Sequence, residues 1–377
     1  MPRVLQVLEA TIGGTRRHLR DLCLGLRDRG WEVDAAVALR RDRGFGSDLE
    51  LFRSRGIGVW PVAMVRRPAP VGDGLAVRRL AGVVRQVRPD VIHAHSTKAG
   101  LLARLAVGTR GPPVVYTPHC FAFEMEAPRL RRALYRAVER ACVPRTARII
   151  AVSRAEQQAA LELGYAPEQI HLIPNGIPSR PESPVETPRR YAVAFIGRFC
   201  RQKGIDLAIA ALRRLAAGHP GLEFAVMGSG DRAATARLDD LPAVTVLPFG
   251  DAPAVQRLLA ESRVLTLPSR WEGLPYLLLE AMEAGTAVVA AGVGGVTDVV
   301  TDGRDALVIP ADDVAAQVRA LARLLDDDAL RLRLTAAARR RVAAFSLETM
   351  IAATEGVYRD GMQAAEPRSA AVGGRRG

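Results

Sequence analysis

The chain alternates two kinds of hydrophobic pattern along its length. Short runs rich in β-branched residues cover residues 4–8, 33–38, 58–62, 91–94, 114–117, 149–152 and 171–173. Longer stretches with apolar positions three and four apart fall between them, as at 16–29, 76–88 and 129–141. Short apolar runs suit strands buried on both faces, and the longer period suits helices with one apolar side. The scheme then starts again. Strands are expected at 192–196, 223–227, 244–247, 264–267, 287–290 and 306–309, with helices at 205–217, 255–261, 276–284 and 314–325. Such alternation predicts parallel sheets covered by helices.

Residues 174–190 break the pattern with five prolines and little apolar content, the composition of a linker. The expected architecture is therefore α/β, with two facing Rossmann-like, doubly wound domains at 1–173 and 191–346. A helix at 347–363 is expected to cross back to the first domain, and a disordered tail to fill 364–377. In such sheets ligands bind beyond the carboxyl ends of the strands, so the crevice between the domains is the expected site.

Composition adds little to this and excludes several alternatives. Of 377 residues, 49% are apolar and 25% charged, as in ordinary folded proteins. No apolar run approaches the length of a membrane span, and the first strand pattern begins almost at once, so no signal peptide is expected. Cys23, Cys120, Cys142 and Cys200 lack CxxC spacing, which predicts free thiols and a cytosolic setting. Of 53 basic residues only Lys98 and Lys203 are lysines, and Asn175 is the only asparagine. In so skewed a composition, positions that keep lysine draw attention as sites needing a compact point charge.

Charge is also uneven. Residues 1–172 hold 28 Lys+Arg and 16 Asp+Glu, so +12 of the net +13 lies there. A basic half points to an anionic partner. Nucleic acid is a poor fit, because aromatics are only 5% and no RNP, zinc-finger or helix-turn-helix signature is present. A nicotinamide dehydrogenase would need GxGxxG after the first strand, and Gly13-Gly14 does not match it. An epimerase of similar architecture is separated from a transferase only by its lack of an acceptor.

Two motifs carry the chemistry. Gly197-Arg198-Phe199-Cys200-Arg201-Gln202-Lys203-Gly204 follows one strand and opens a helix, where backbone amides, Arg198 and Lys203 suit a pyrophosphate. Trp271-Glu272-Gly273-Leu274-Pro275-Tyr276-Leu277-Leu278-Leu279-Glu280-Ala281 places Glu272 before a helix and Glu280 in its second turn, with Pro275 suited to the first helical position. Amides around Leu277 and Leu278 would face a phosphate, and a carboxylate such as Glu280 needs a hydroxyl or cationic partner. The DxD at 326–328 reads as a helix cap rather than a metal site.

Together these motifs resemble the donor domain of the retaining family 4 glycosyltransferases of GT-B fold, of the bacterial surface-polysaccharide type. Gly13-Gly14, His95-Ser96-Thr97-Lys98-Ala99-Gly100, Thr117-Pro118-His119 and Pro174-Asn175-Gly176-Ile177 resemble stretches of the same family, although Pro178 stands where the family often has Asp. The resemblance implies a nucleoside-diphosphate sugar donor, UDP before GDP, and no metal or other cofactor. It implies His119 on the transferred sugar, Arg198 and Lys203 on the pyrophosphate, Glu272 on sugar hydroxyls and Glu280 on the ribose. Gly228 and Gly230 would flank the nucleotide, and Gly13 and Gly14 the distal phosphate or reacting sugar. His93 and His95 are expected at a strand end, with one turned into the core, and His18, His171 and His219 as structural or exposed. The acceptor is expected to be a lipid-linked glycan. The basic amphipathic stretch 128–143, with Arg129, Arg131, Arg132 and Arg136, would dock on an anionic inner membrane face, with Lys98 also on the acceptor side.

Overall fold

The computed structural model describes residues 1–39, 44–108, 111–179, 188–241 and 243–364. The expected tail at 364–377 and the middle of the expected linker therefore lie almost wholly outside the described residues. The chain divides into two compact units, Met1–Asn175 with the segment from Leu347, and Gly176–Ser346.

In the first unit the strands are β1 (Arg3–Leu8), β2 (Glu32–Val37), β3 (Gly58–Pro61), β4 (Val91–His95), β5 (Val114–Thr117), β6 (Arg148–Ala151) and β7 (Ile170–Leu172). Its helices are α1 (Gly13–Asp28), α2 (Phe45–Ser54), α3 (Pro70–Val87), α4 (Ser96–Val107), α5 (Arg129–Cys142) and α6 (Arg154–Leu163). The sheet order is β3-β2-β1-β4-β5-β6-β7, and every pairing is parallel. Chain order reverses between β1 and β4. That reversal opens a crevice at their carboxyl ends. β1 and β4 are buried almost throughout, as strands covered on both faces must be.

The second unit repeats the plan with β8 (Tyr191–Ile196), β9 (Phe224–Met227), β10 (Val244–Leu247), β11 (Ser262–Leu267), β12 (Ala287–Ala291) and β13 (Leu307–Ile309). Its helices are α7 (Ile205–Gly218), α8 (Arg232–Asp239), α9 (Ala252–Ala260), α10 (Tyr276–Ala284), α11 (Val296–Val299), α12 (Val314–Asp326) and α13 (Asp328–Val342). The order β10-β9-β8-β11-β12-β13 is again parallel throughout, with its reversal between β8 and β11.

The last helix, α14 (Leu347–Gln363), belongs to the first unit, as expected of a segment crossing back. It buries Met350, Ile351, Val357 and Tyr358 in the core around α1 and β1. Tyr358 packs edge-on against Trp31 at 5.5 Å, and Trp31 Nε1 donates to Glu355 at 3.1 Å.

Several local expectations shift. α1 begins at Gly13 rather than near residue 16, so both glycines form its exposed first turn. Pro275 is the residue before α10, and Tyr276 is the first helical one. Asp327 caps α13 by accepting from the Leu330 amide at 2.8 Å, which accounts for the DxD. All four cysteines are free thiols. Among the described residues no helix is long and apolar enough to cross a membrane.

Candidate functional site

In the second unit the site is built where β8, β9 and β11 end. After β8 the chain forms a tight turn at 201–203 before α7, and Lys203 leaves it to meet the segment after β11. Lys203 Nζ lies 2.5 Å from Glu272 Oε1, and Ser269 Oγ donates to the same oxygen at 2.7 Å. Arg198 donates to Gln202 Oε1 at 2.8 Å, and Gln202 Nε2 donates to the Trp271 carbonyl at 3.2 Å. The two sequence motifs are thus one cluster of cation, carboxylate and amide. Lys203 and Glu272, read separately from the sequence, are paired with each other.

Backbone proximity explains the glycines here. A Cβ on Gly228 would collide with the Gly197 carbonyl and the Phe199 ring. Gly230 pairs with Phe199 in a parallel bridge, so the β8 and β9 loops touch main chain to main chain. A Cβ on Gly294 would strike the Glu272 carbonyl, and the Gly295 amide donates to Gly273 O at 2.6 Å. Only glycine permits so close an approach.

α10 starts beside this cluster with no side-chain cap. The Leu278 amide, expected to face a phosphate, already donates to the Pro275 carbonyl at 3.1 Å. Leu277 is half-buried in the first turn, and Glu280 is buried in the second. Sequence reasoning missed Arg270. It forks onto Asp206 at 2.7 and 2.9 Å, pairs with Asp312 at 2.6 Å and donates to the Arg201 carbonyl at 2.7 Å. These contacts brace the 201–203 turn that carries Lys203, and the Arg270 hydrogen bond holds the Asp206 carboxyl below its ordinary range. Its place just before Trp271-Glu272 was the available signal.

In the first unit a second cluster occupies the reversal point. His95 ends β4, His119 follows β5, and His18 comes from α1. His95 Nδ1 lies 3.2 Å from His119 Nε2, and the His18 and His119 rings meet edge-on at 4.6 Å. Gln6 Nε2 donates to the Tyr358 hydroxyl at 3.0 Å, which turns Gln6 Oε1 toward His95 Nε2 at 2.8 Å. That arrangement puts the His95 proton on Nε2, so Nδ1 accepts from His119. His93 lies between the Tyr358 hydroxyl at 2.6 Å and Thr117 Oγ1 at 2.8 Å.

Burial keeps these imidazoles neutral at pH 7. It pushes His18 down to about 4 and His93, His95 and His119 well below the ordinary histidine range. His93 and His95 are both buried, where only one was expected to turn into the core, and of the two readings for His18, structural or exposed, burial favours the first. Tyr358, at the far end of the sequence, was invisible as a partner.

The loop bearing His119 is under strain. Ser96, His119 and Cys120 have φ of 75°, 51° and 84°, in the left-handed region that favours glycine. Three such residues at two adjacent strand ends store energy that the surroundings must hold. Buried Glu156 provides the hold. It accepts from the Cys120 amide and from the Val152 amide at 3.0 Å, and burial raises its carboxyl to about 7.

Lys98 and the basic helix α5 make up the expected acceptor face. Lys98 Nζ pairs with Asp73 at 2.6 Å, tying α4 to α3. Arg132 donates to the Phe123 carbonyl at 2.8 Å, and Arg136 lies 4.8 Å over the Phe123 ring and pairs with Glu162 at 3.3 Å. Arg129 and Arg131 stay on the exposed side of α5, with Leu130 and Leu134.

Two parallel Rossmann-like units, each with charged or glycine-rich loops at its switch point, define a GT-B enzyme that uses nucleotide sugars. Residues 13–176 match the glycosyl transferase 4-like domain, and residues 190–327 match the glycosyl transferases group 1 domain. Glycogen synthase of Mycobacterium tuberculosis is 31% identical, over 87% of this chain and 80% of its own length. An Escherichia coli UDP-Gal:alpha-D-GlcNAc-diphosphoundecaprenol alpha-1,3-galactosyltransferase is 26% identical over 71% and 75%. The Anabaena protein HepE, solved with UDP and glucose, shares the fold at TM-score 0.75 and 21% identity, with 98% and 100% covered. The chain belongs to the family 4 glycosyltransferases.

Proposed function

We propose that this enzyme transfers a sugar, with retention and without a metal, from a UDP-sugar to a lipid-linked glycan during cell-surface polysaccharide synthesis. GDP is the second choice of donor nucleotide. The observation that carries this is the cluster of Arg198, Lys203 and Glu272 at the β8–β11 reversal. A cationic pair there meets the charge that builds on a departing diphosphate, and helix amides add to it. Glu280 binds the ribose and Glu272 the sugar hydroxyls, with Gly228 and Gly230 flanking the nucleotide. His119, held neutral, contacts the transferred sugar, and the exposed first turn of α1 at Gly13 and Gly14 offers amides to the distal phosphate. The Escherichia coli relative, named for a UDP-Gal donor and a diphosphoundecaprenol-linked acceptor, supports both halves of this reading, and the UDP-bound Anabaena structure supports the donor half.

The acceptor side rests on charge. Phe123, Arg129, Arg132, Ala133 and Arg136 line a shallow hollow of about 270 Å³ on the first unit. Its lining is mostly apolar, and the arginines that contribute to it suit an acceptor that pairs an apolar part with phosphate. Arg129, Arg131, Leu130 and Leu134 form the outward face that meets an anionic leaflet from the cytoplasmic side.

The test is thermal stabilisation by UDP, GDP and ADP, with and without magnesium. A shift specific to one nucleotide and unchanged by magnesium is expected. No shift with any of them would overturn the donor assignment. Sedimentation with vesicles containing anionic lipid, lost on raising salt or in Arg129→Glu/Arg131→Glu, tests the membrane face.

A further inference from the structure

His18, His95 and His119 come from α1, the end of β4 and the turn after β5, so only folding brings them together. One ligating nitrogen of each lies within 4.8 Å of the other two. Ring centres are 5.4 Å apart for His18–His95, 4.6 Å for His18–His119 and 5.4 Å for His95–His119. Three imidazoles bound to one tetrahedral zinc would have nitrogens ~3.3 Å apart and ring centres ~5 Å apart. The 3.2 Å between His95 Nδ1 and His119 Nε2 fits that spacing.

The outer contacts fit as well. A metal-bound imidazole ordinarily directs its second nitrogen to a carbonyl or carboxylate oxygen, which fixes the tautomer. His95 Nε2 meets Gln6 Oε1 at 2.8 Å, and His18 Nδ1 meets Asn175 Oδ1 at 3.2 Å. With those nitrogens directed to the amide oxygens, His95 Nδ1 and His18 Nε2 are the nitrogens assigned to the ion. Asn175 is the only asparagine of the chain.

We infer that His18, His95 and His119 form a three-imidazole site for a borderline divalent transition metal such as Zn²⁺, and that its occupation inhibits sugar transfer. The inhibitory part rests on the assignment of His119 to the transferred sugar. The ion takes the place of the proton between His95 Nδ1 and His119 Nε2. The His119 proton moves to Nδ1, so three neutral ligands bind with no net proton release. Mg²⁺, which prefers oxygen ligands, is not served by such a set. A metal-independent reaction and a zinc-inhibited enzyme are therefore compatible.

The experiment uses the full chain titrated with Co²⁺ and then Zn²⁺, beside His18→Gln, His95→Gln and Asn175→Ala, each checked for folding by circular dichroism. One equivalent of Co²⁺ should give the intense visible bands of a tetrahedral centre, and Zn²⁺ should displace it. Asn175→Ala should lower Zn²⁺ affinity by about 10–100-fold, and the histidine variants by more. Zn²⁺ should inhibit transfer, with reversal by EDTA, whereas Mg²⁺ should not. Weak octahedral bands, or parental Zn²⁺ affinity in a folded His18→Gln, would overturn the site. One-to-one binding through these histidines with transfer unaffected would overturn the inhibitory role and the placing of His119 on the sugar, while leaving the metal site in place.

Discussion

Lys203 Nζ and Glu272 Oε1 are 2.5 Å apart, and this ion pair joins the turn after β8 to the segment after β11. Glu272 is largely buried and Lys203 a quarter exposed, so the cation faces outward from a carboxylate that holds it. A compact ammonium fits that place and a planar guanidinium does not. Lys203→Ala and Arg198→Ala should each lower kcat/KM by roughly 10²–10³-fold with the fold intact, and Lys203→Arg should recover little. Steady-state kinetics at near-parental values would contradict this.

Arg270 acts through the turn that carries Lys203. Its contacts with Asp206, Asp312 and the Arg201 carbonyl hold the 201–203 segment. Arg270→Lys keeps the charge and loses the fork, so KM for the donor should rise by about tenfold while kcat changes less. A purely structural residue would instead lower the melting temperature and leave KM unchanged, and kinetics paired with a thermal melt separate the two.

Glu156 makes stability depend on pH. Burial raises its carboxyl from 4.5 to about 7, and neighbouring Glu124 adds to the shift. Because the folded chain binds this proton more tightly, the stabilisation is fully present below about pH 4.5 and is lost as pH rises through about 7. The full effect is on the order of 3 kcal/mol. The buried imidazoles act with opposite sign, giving stability above their ordinary 6.5 that is lost as pH falls. Comparison with Glu156→Gln isolates the carboxyl. Denaturant titrations at about pH 5 and about pH 8 should show the variant losing less stability toward high pH than the parent. Equal changes in both would count against it.

Arg104 and Glu139 form a buried pair at 2.9 Å, with the Tyr116 hydroxyl on the same carboxylate at 2.9 Å. The pair fastens α5, the basic helix, to α4. Glu139→Ala leaves a buried guanidinium uncompensated and should cost about 3–5 kcal/mol, whereas Arg104→Met/Glu139→Leu should recover most of it. Urea unfolding of the two variants provides the check, and equal losses would argue against the pair.

Much of this is legible in the sequence. Strand and helix periods anticipated both sheets, because parallel strands buried on two faces leave unbroken apolar runs such as 192–196. The Arg198/Lys203 and Glu272/Glu280 motifs were legible because they are local in sequence. What escaped was long-range. Nothing near His119 announces Tyr358, Gln6 or His18, which reach its surroundings only through the crossing of α14 and the packing of α1. The contacts of the basic helix were hidden for the same reason. Periodicity shows which side is charged, but not that Arg132 and Arg136 fold back onto Phe123, nor that Asp73 claims Lys98.

The most direct test of the donor site is calorimetric titration of UDP into the parent, Lys203→Ala and Glu280→Ala chains in EDTA. One-to-one binding to the parent, weakened by at least about tenfold in both folded variants, is the predicted result. Absence of nucleotide binding by the parent, or equal affinity in all three chains, would contradict the placing of the nucleotide at the β8–β11 reversal.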